Sequence, residues 1–302
     1  MIDNSVSTQP AAPVAVTVPA LPAESAPVPV QAPFPGTLED RPAAYSVIAE
    51  LLRVQADVAP RSTVRRVFGA SPLQADAESW FSGAHGELKV GELLSRLGSE
   101  WRVLHAVPVG TGDSDIDHVV FGPAGVFTIN TKRHRGQKIW VGERMLMVAG
   151  HKTDHLRNSR YEAKRAAKLL TAATGIPVEV HPILAIVDPA SFTVKRRPND
   201  VSIMVARELP RWLKRRKPVL DAETVQRISV AAVDSRTWHR TANLTIDPAY
   251  LERFSALDRE VSQARIVRLL WGVVVVIALG FVAVAYLLPT LTATLVAAIT
   301  GA

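Results

Sequence analysis

The chain has no cysteine among its 302 residues. That excludes disulfides and thiolate zinc sites and fits a reducing compartment. It has no internal repeat, no glycine-rich loop that would cradle phosphate, and no Ser or Cys nucleophile motif. His118 and His134 stand at a spacing that matches no zinc signature. The N-terminus has neither the basic start nor the apolar core of a signal peptide. Near the other end, charge is missing: Leu269 to Leu288 is 20 residues with no Asp, Glu, Lys, Arg or His. Over the whole chain, 35 Lys and Arg outweigh 28 Asp and Glu, for a formal charge of +7. With a pI near 9.9, this balance favours nucleic acid or anionic lipid as a partner.

Composition divides the chain. Residues 1–40, rich in Pro, Ala and Val, read as a disordered or polyproline-like leader. Residues 41–75 form a helical lead-in, with Val47, Leu51 and Val54 at helical spacing between Ala43 and Val54. Arg61, Arg65 and Arg66 follow, a basic turn that suits solvent, phosphate or lipid. Residues 76–98 predict an amphipathic helix with Val90, Leu93, Leu94 and Leu97 on one stripe. Glu87, nearly two turns before Leu94, points toward that stripe and Glu92 points away. A carboxylate there is either at the stripe's solvated edge or in need of a partner or a metal. Strands are predicted at 101–109, 138–141, 144–148, 178–187 and 201–205, and helices at 158–173, 207–217 and 222–233. On the first of these helices, Arg157, Arg160, Lys164 and Lys168 form a basic stripe, either a solvated face or a track for a phosphate backbone. Trp212 beside Arg215, Arg216 and Lys217 reads as core packing or as a weak nucleic-acid contact.

The most informative stretch runs from Asp113 to Lys132. Two apolar runs flank Gly122-Pro123-Ala124-Gly125, a hairpin signal with a loop of about four residues. If Phe121 and Val126 are the last pair, Val119 faces Thr128, Asp117 faces Asn130 and Asp115 faces Lys132, each about 5 Å apart at Cβ. Alternation puts Asp117, Asn130 and Lys132 on one face. Such a cluster is either a solvated hairpin end with an Asp–Lys pair or a site for a hard cation and phosphate.

His85-Gly86-Glu87, Trp101 to His105, and above all Asp115-Ile116-Asp117-His118 through Thr131-Lys132 resemble the nuclease-related domain, NERD, of the PD-(D/E)xK nuclease superfamily. The resemblance covers roughly residues 76–245. It implies an α/β fold, a mixed central sheet flanked by helices as in restriction endonucleases, and a divalent-metal site that cuts nucleic-acid backbones. Carried over, Glu87, Asp117, Asn130 and Lys132 are the catalytic residues. Glu87, Asp117 and Asn130 would ligate Mg²⁺ or Mn²⁺, and Lys132 would aid the attacking water. Asn130 departs from the pattern, which usually has Glu or Asp there. Two functions follow: metal-dependent phosphodiester hydrolysis of DNA or RNA, or a membrane-tethered nucleic-acid-binding or scaffolding module without turnover. Arg157, Arg160, Lys164 and Lys168 are the expected nucleic-acid contacts.

Residues 246–268 read as a basic juxtamembrane segment and 269–288 as a transmembrane helix, since 20 helical residues span about 30 Å. Residues 289–302 form a short tail. Arg265 and Arg268 precede the span and no Lys or Arg follows it. The expectation is a single-pass protein of the cell membrane, held in the bilayer by this helix, with its N-terminal domain in the cytoplasm.

Overall fold

A computed structural model describes residues 37–110, 114–239 and 246–301. The leader up to residue 36 and Asp113 lie outside the described residues. The strands are β1 (Arg102–Pro108), β2 (Asp115–Gly122), β3 (Gly125–Arg133), β4 (Lys138–Val141), β5 (Leu146–Val148), β6 (His151–Thr153), β7 (Val180–Val187), β8 (Ser191–Val194) and β9 (Ser202–Val205). The helices are α1 (Tyr45–Gln55), α2 (Thr63–Val67), α3 (Ala75–Leu94), α4 (His155–Thr174), α5 (Leu209–Lys214), α6 (Ala222–Val233), α7 (Ser235–Trp238), α8 (Tyr250–Val282) and α9 (Leu288–Thr300).

The central sheet has the order β1-β2-β3-β7-β9 and is mixed. β1, β2 and β3 form an antiparallel meander, and β7 and β9 add in parallel. Its two faces follow strand alternation. Val120, Phe127 and Ile129 pack under α3 and α5. Val119, Phe121 and Val126 pack under α4 and α6. The hairpin has the expected register, with Phe121 opposite Val126 and Val119 opposite Thr128. Pairing goes one step further, to Gly122 opposite Gly125, so the loop is the two residues Pro123 and Ala124 rather than four. Gly125 takes φ +117°, a conformation open to glycine, and this lets the strand resume at once.

The single expected sheet is joined by a second of four strands, β6-β5-β4-β8. Ile139, Val141, Leu146 and Val148 of this sheet share a core with Leu184, Ile186 and Ile203 of β7 and β9. β6 has three residues and no apolar one, and β8 has four, with only Phe192 and Val194 facing this core.

The C-terminal helix has two roles. Its first half belongs to the domain: Tyr250, Phe254 and Val261 are buried with Ile48 and Leu51 of α1 and Phe81 of α3. Its second half is exposed, and the stretch Tyr250–Ala293 contains the one helix among the described residues long and apolar enough to cross a membrane. Pro289 has no N–H to give the preceding turn. The backbone relaxes to π-helix over Ala283–Leu287 and continues as α9 instead of ending.

α3 meets β3 at Gly86, where a Cβ would lie 3.1 Å from Arg133 Cβ and 3.3 Å from Thr131 Cγ2. This close approach sets the depth at which the next residue, Glu87, enters the domain. Gly86→Val is expected to push α3 off the strand and cost about 1–3 kcal/mol of stability. Thermal unfolding checks it, and a melting temperature equal to wild type would mean the contact is loose.

Candidate active site

Beyond His118 and Ile129 the β2–β3 ladder stops. The next link is a side chain: the Thr131 backbone N–H donates to Asp117 Oδ2 at 2.6 Å. This bond fixes the Asp117 carboxylate where the two strands part. Asn130 and Lys132 follow on β3, on the face covered by α4. From α4, Glu162 reaches down, and Asn130 Nδ2 donates to its Oε1 at 2.5 Å. Glu87 comes from α3, across the sheet, and is only 5% exposed. The structure therefore brings Glu87, Asp117, Asn130 and Lys132 together at one end of the sheet, each within electrostatic reach of its neighbours.

Two acids differ from the sequence reading. Asp115 was expected opposite Lys132. Its carboxyl turns instead toward Ser46 and Arg41 of the N-terminal lead-in, because β2 there has left β3 and pairs only with β1, Asp115 opposite Pro108. Glu162 was not singled out at all. It lies about 30 residues beyond the hairpin on a helix whose visible pattern is basic, and only the tertiary fold aims it at Asn130.

The basic stripe does not share the site's face. At 100° per residue, Arg157, Arg160, Lys164 and Lys168 cluster on one side of α4 and Glu162 sits roughly 155° around the helix from the centre of that stripe. Arg157 pairs with Asp154 at 3.0 Å and Arg160 with Asp200 at 2.6 Å, whereas Lys164 and Lys168 are exposed. His118 is fully buried, its Nδ1 2.8 Å from that of His105. His134 stacks on His155 near Lys132.

Electrostatics set the state of the cluster. Burial, and then repulsion from Asp117 and Asp115, raises the Glu87 carboxyl well above the usual range, with Lys132 opposing. Burial and the nearby Asp117 push Glu162 up to about 8. Burial and Asp117 push Asp115 up to about 6. Asp117 is also raised by burial, against the pull of Lys132 and the Thr131 N–H. Lys132 and, beside Asp115, Arg41 do not offset four crowded and buried carboxyls, so the cluster holds protons near neutral pH.

The donor set suits a hard divalent cation. Among the described residues, Glu87 Oε2, Asn130 Oδ1 and Glu162 Oε2 are buried oxygens with no hydrogen-bond partner. All are the carboxylate or amide oxygens that Mg²⁺ and Mn²⁺ take. As placed, no three acids or histidines among the described residues converge on a single point at ligand distance. These side chains arrive from both faces of the sheet, Glu87 from α3 and Glu162 from α4.

Residues 82–187 match the family model NERD, described as the nuclease-related domain. The match runs from the middle of α3 to the end of β7, includes every acid of the cluster, and leaves residues 188–302 outside. No curated protein and no solved structure matches the chain.

A carboxyl raised in the folded state binds more protons folded than unfolded, so folding stability falls as pH rises. For Glu162 the window runs from its ordinary 4.5 to about 8. In metal-free buffer the melting temperature is expected to drop by roughly 5 °C or more between pH 5 and 8.5. Glu162→Gln should flatten that slope, and a profile unchanged in the variant would remove Glu162 from the cluster.

Proposed function

With residues 82–187 a nuclease-related domain, we propose that the chain is a membrane-anchored, divalent-metal-dependent phosphodiesterase acting on DNA or RNA, its N-terminal domain on the cytoplasmic side. The observation that carries this reading is the group of buried, unpartnered oxygens of Glu87, Asn130 and Glu162 around Asp117 and Lys132. Mg²⁺ or Mn²⁺ bound there would supply Lewis-acid stabilisation of the phosphate and of the attacking water.

The chain's own residues supply the rest. Glu87 and Asp117 bring negative charge to the cation. Glu162 brings the further carboxylate that position 130 does not, because Asn130 offers only a neutral carbonyl oxygen. Asp117 is held by the Thr131 N–H, so its carboxylate would be ordered before any cation binds. The Lys132 ammonium faces the charge that builds up on the phosphoryl oxygens and orients the water. The stripe of Lys164 and Lys168 turns away from the site and serves a nucleic acid only as a more distant electrostatic track. Arg265 and Arg268 before the uncharged span, with no basic residue after it, support the cytoplasmic orientation. The reading as a tethered binding module without turnover draws on the absence, among the described residues, of three acids already at ligand distance.

The test is cleavage of duplex DNA and single-stranded RNA by the full chain in detergent, with Mg²⁺, Mn²⁺ or chelator. Cleavage should need the cation. Lys132→Ala, Asp117→Ala and Glu162→Gln should each lower the rate by about 10²-fold or more. Mn²⁺ calorimetry should show binding lost in Asp117→Ala and retained in Lys132→Ala. Nucleic-acid binding without cleavage under either metal would favour the module.

A further inference from the structure

The membrane-proximal end of the domain carries a feature that catalysis does not use. α2 is a five-residue helix whose Val64, Val67 and the following Phe68 are 64%, 52% and 57% exposed, interleaved with exposed Arg65 and Arg66. The turn after it is clamped to α8. Gly69 takes φ +66°, and a Cβ there would lie 2.6 Å from both the Ala264 carbonyl oxygen and the Arg268 nitrogen. The Arg268 guanidinium donates to the Gly69 carbonyl at 3.1 Å, the Trp271 indole N–H donates to the Val67 carbonyl at 2.7 Å, and the Trp271 ring lies 5.0 Å from that of Phe68.

The depth of this clamp follows from helix geometry. Ala264 lies five residues before Leu269, where the uncharged run begins. At 1.5 Å per residue that is about 7 Å, the thickness of one headgroup layer outside the hydrocarbon. Trp271 falls at the boundary, where amphipathic rings collect. α2 therefore lies at headgroup depth, apolar side chains out and arginines among them, the pattern of a segment lying in the interface.

Beside the clamp is a cavity of about 350 Å³ between α3, the end of β3 and α8. Arg133, Arg135, Arg265 and Arg268 line it, against the single acid Glu78. Arg133 also pairs with Asp188 at 3.1 Å, and Arg265 stands over the Phe81 ring at 6.0 Å. Arginine forks suit phosphate oxygens.

We propose that this face is a membrane-surface site: α2 and Phe68 insert at the headgroup layer and the arginine cavity takes the phosphate of an anionic phospholipid. The proposal rests on the reading that α8 spans a bilayer. It goes further in making the folded domain, and not only the helix, a lipid-binding body.

The test uses the full chain in nanodiscs of phosphatidylglycerol and phosphatidylcholine. The natural absence of cysteine lets Phe68→Cys, Val276→Cys and Glu223→Cys each carry one nitroxide, whose access to oxygen and to a nickel chelate reports depth. Positions 68 and 276 should be shielded from nickel and 223 should not. Native mass spectrometry should find phosphatidylglycerol retained in preference to phosphatidylcholine. Arg135→Gln with Arg265→Gln should cut that retention roughly tenfold, and the paired lysine variants should keep it. A label at 68 as open to nickel as that at 223, with 276 immersed, overturns the proposal and leaves the span standing. Nickel access at both 68 and 276 overturns both readings. Equal retention of the two lipids removes the headgroup site.

Discussion

The hydrogen bond from the Thr131 N–H to Asp117 is the constraint on which the site depends. It sits where the β2–β3 ladder ends, so a carboxylate completes what a backbone carbonyl would otherwise do. Because that carboxylate cannot turn away, every other charge in the neighbourhood is placed relative to it. Lys132 on β3 answers it, and Glu87 and Glu162 are held above their usual titration range partly because of it. Burial is the larger cause for both. A closed apolar sheet on two faces therefore makes the charge cluster costly, a cost that bound protons relieve and that, on the proposed reading, a cation would relieve in their place.

The charge count gives meaning to the substitution at position 130. A carboxylate there would stand 2.5 Å from the Glu162 oxygen that the amide now meets, and the two would repel whenever Glu162 is ionised. The amide donates instead. Asn130 and Glu162 are thus a matched pair: the neutral side chain on the strand lets the acid arrive from the helix. On the proposed reading, the site keeps its number of carboxylates while one of them changes its element of origin.

Much of this was legible in the sequence. The register followed from one pairing, Phe121 with Val126, since a period of two carries that choice along both strands to His118 and Ile129, one step short of Asp117 and Asn130. Burial of Glu87 followed from its spacing to Leu94. What failed did so for identifiable reasons. Asp115 was paired by extending the ladder three residues past its last pair, His118 with Ile129, and nothing local marks that parting. Glu162 has no signature of its own, because its helix shows a basic solvent face and the acid lies toward the edge of the buried one. β6 and β8 are too short to carry a period. The first half of α8 read as basic juxtamembrane chain because Tyr250, Phe254 and Val261 are widely spaced among charges, although they fill the α1–α3 core.

That last packing has a mechanical consequence. A domain joined to a bilayer by a flexible linker presents its site in every direction. Here the helix that is long and apolar enough to cross the membrane is continuous with a core helix, and Gly69 is seated against it just before the uncharged run. Rotation of the domain about its anchor would require breaking the α1–α3–α8 core. β3 connects this to the chemistry: Lys132 points to the acid cluster on one face, and the next residue, Arg133, lines the arginine cavity on the other. On the proposed readings, the phosphodiester site and the lipid site are two faces of a single strand end. The reaction would then be confined to nucleic acid lying near the membrane surface, and the orientation of the domain, more than any sequence-reading contact, would select what is cut.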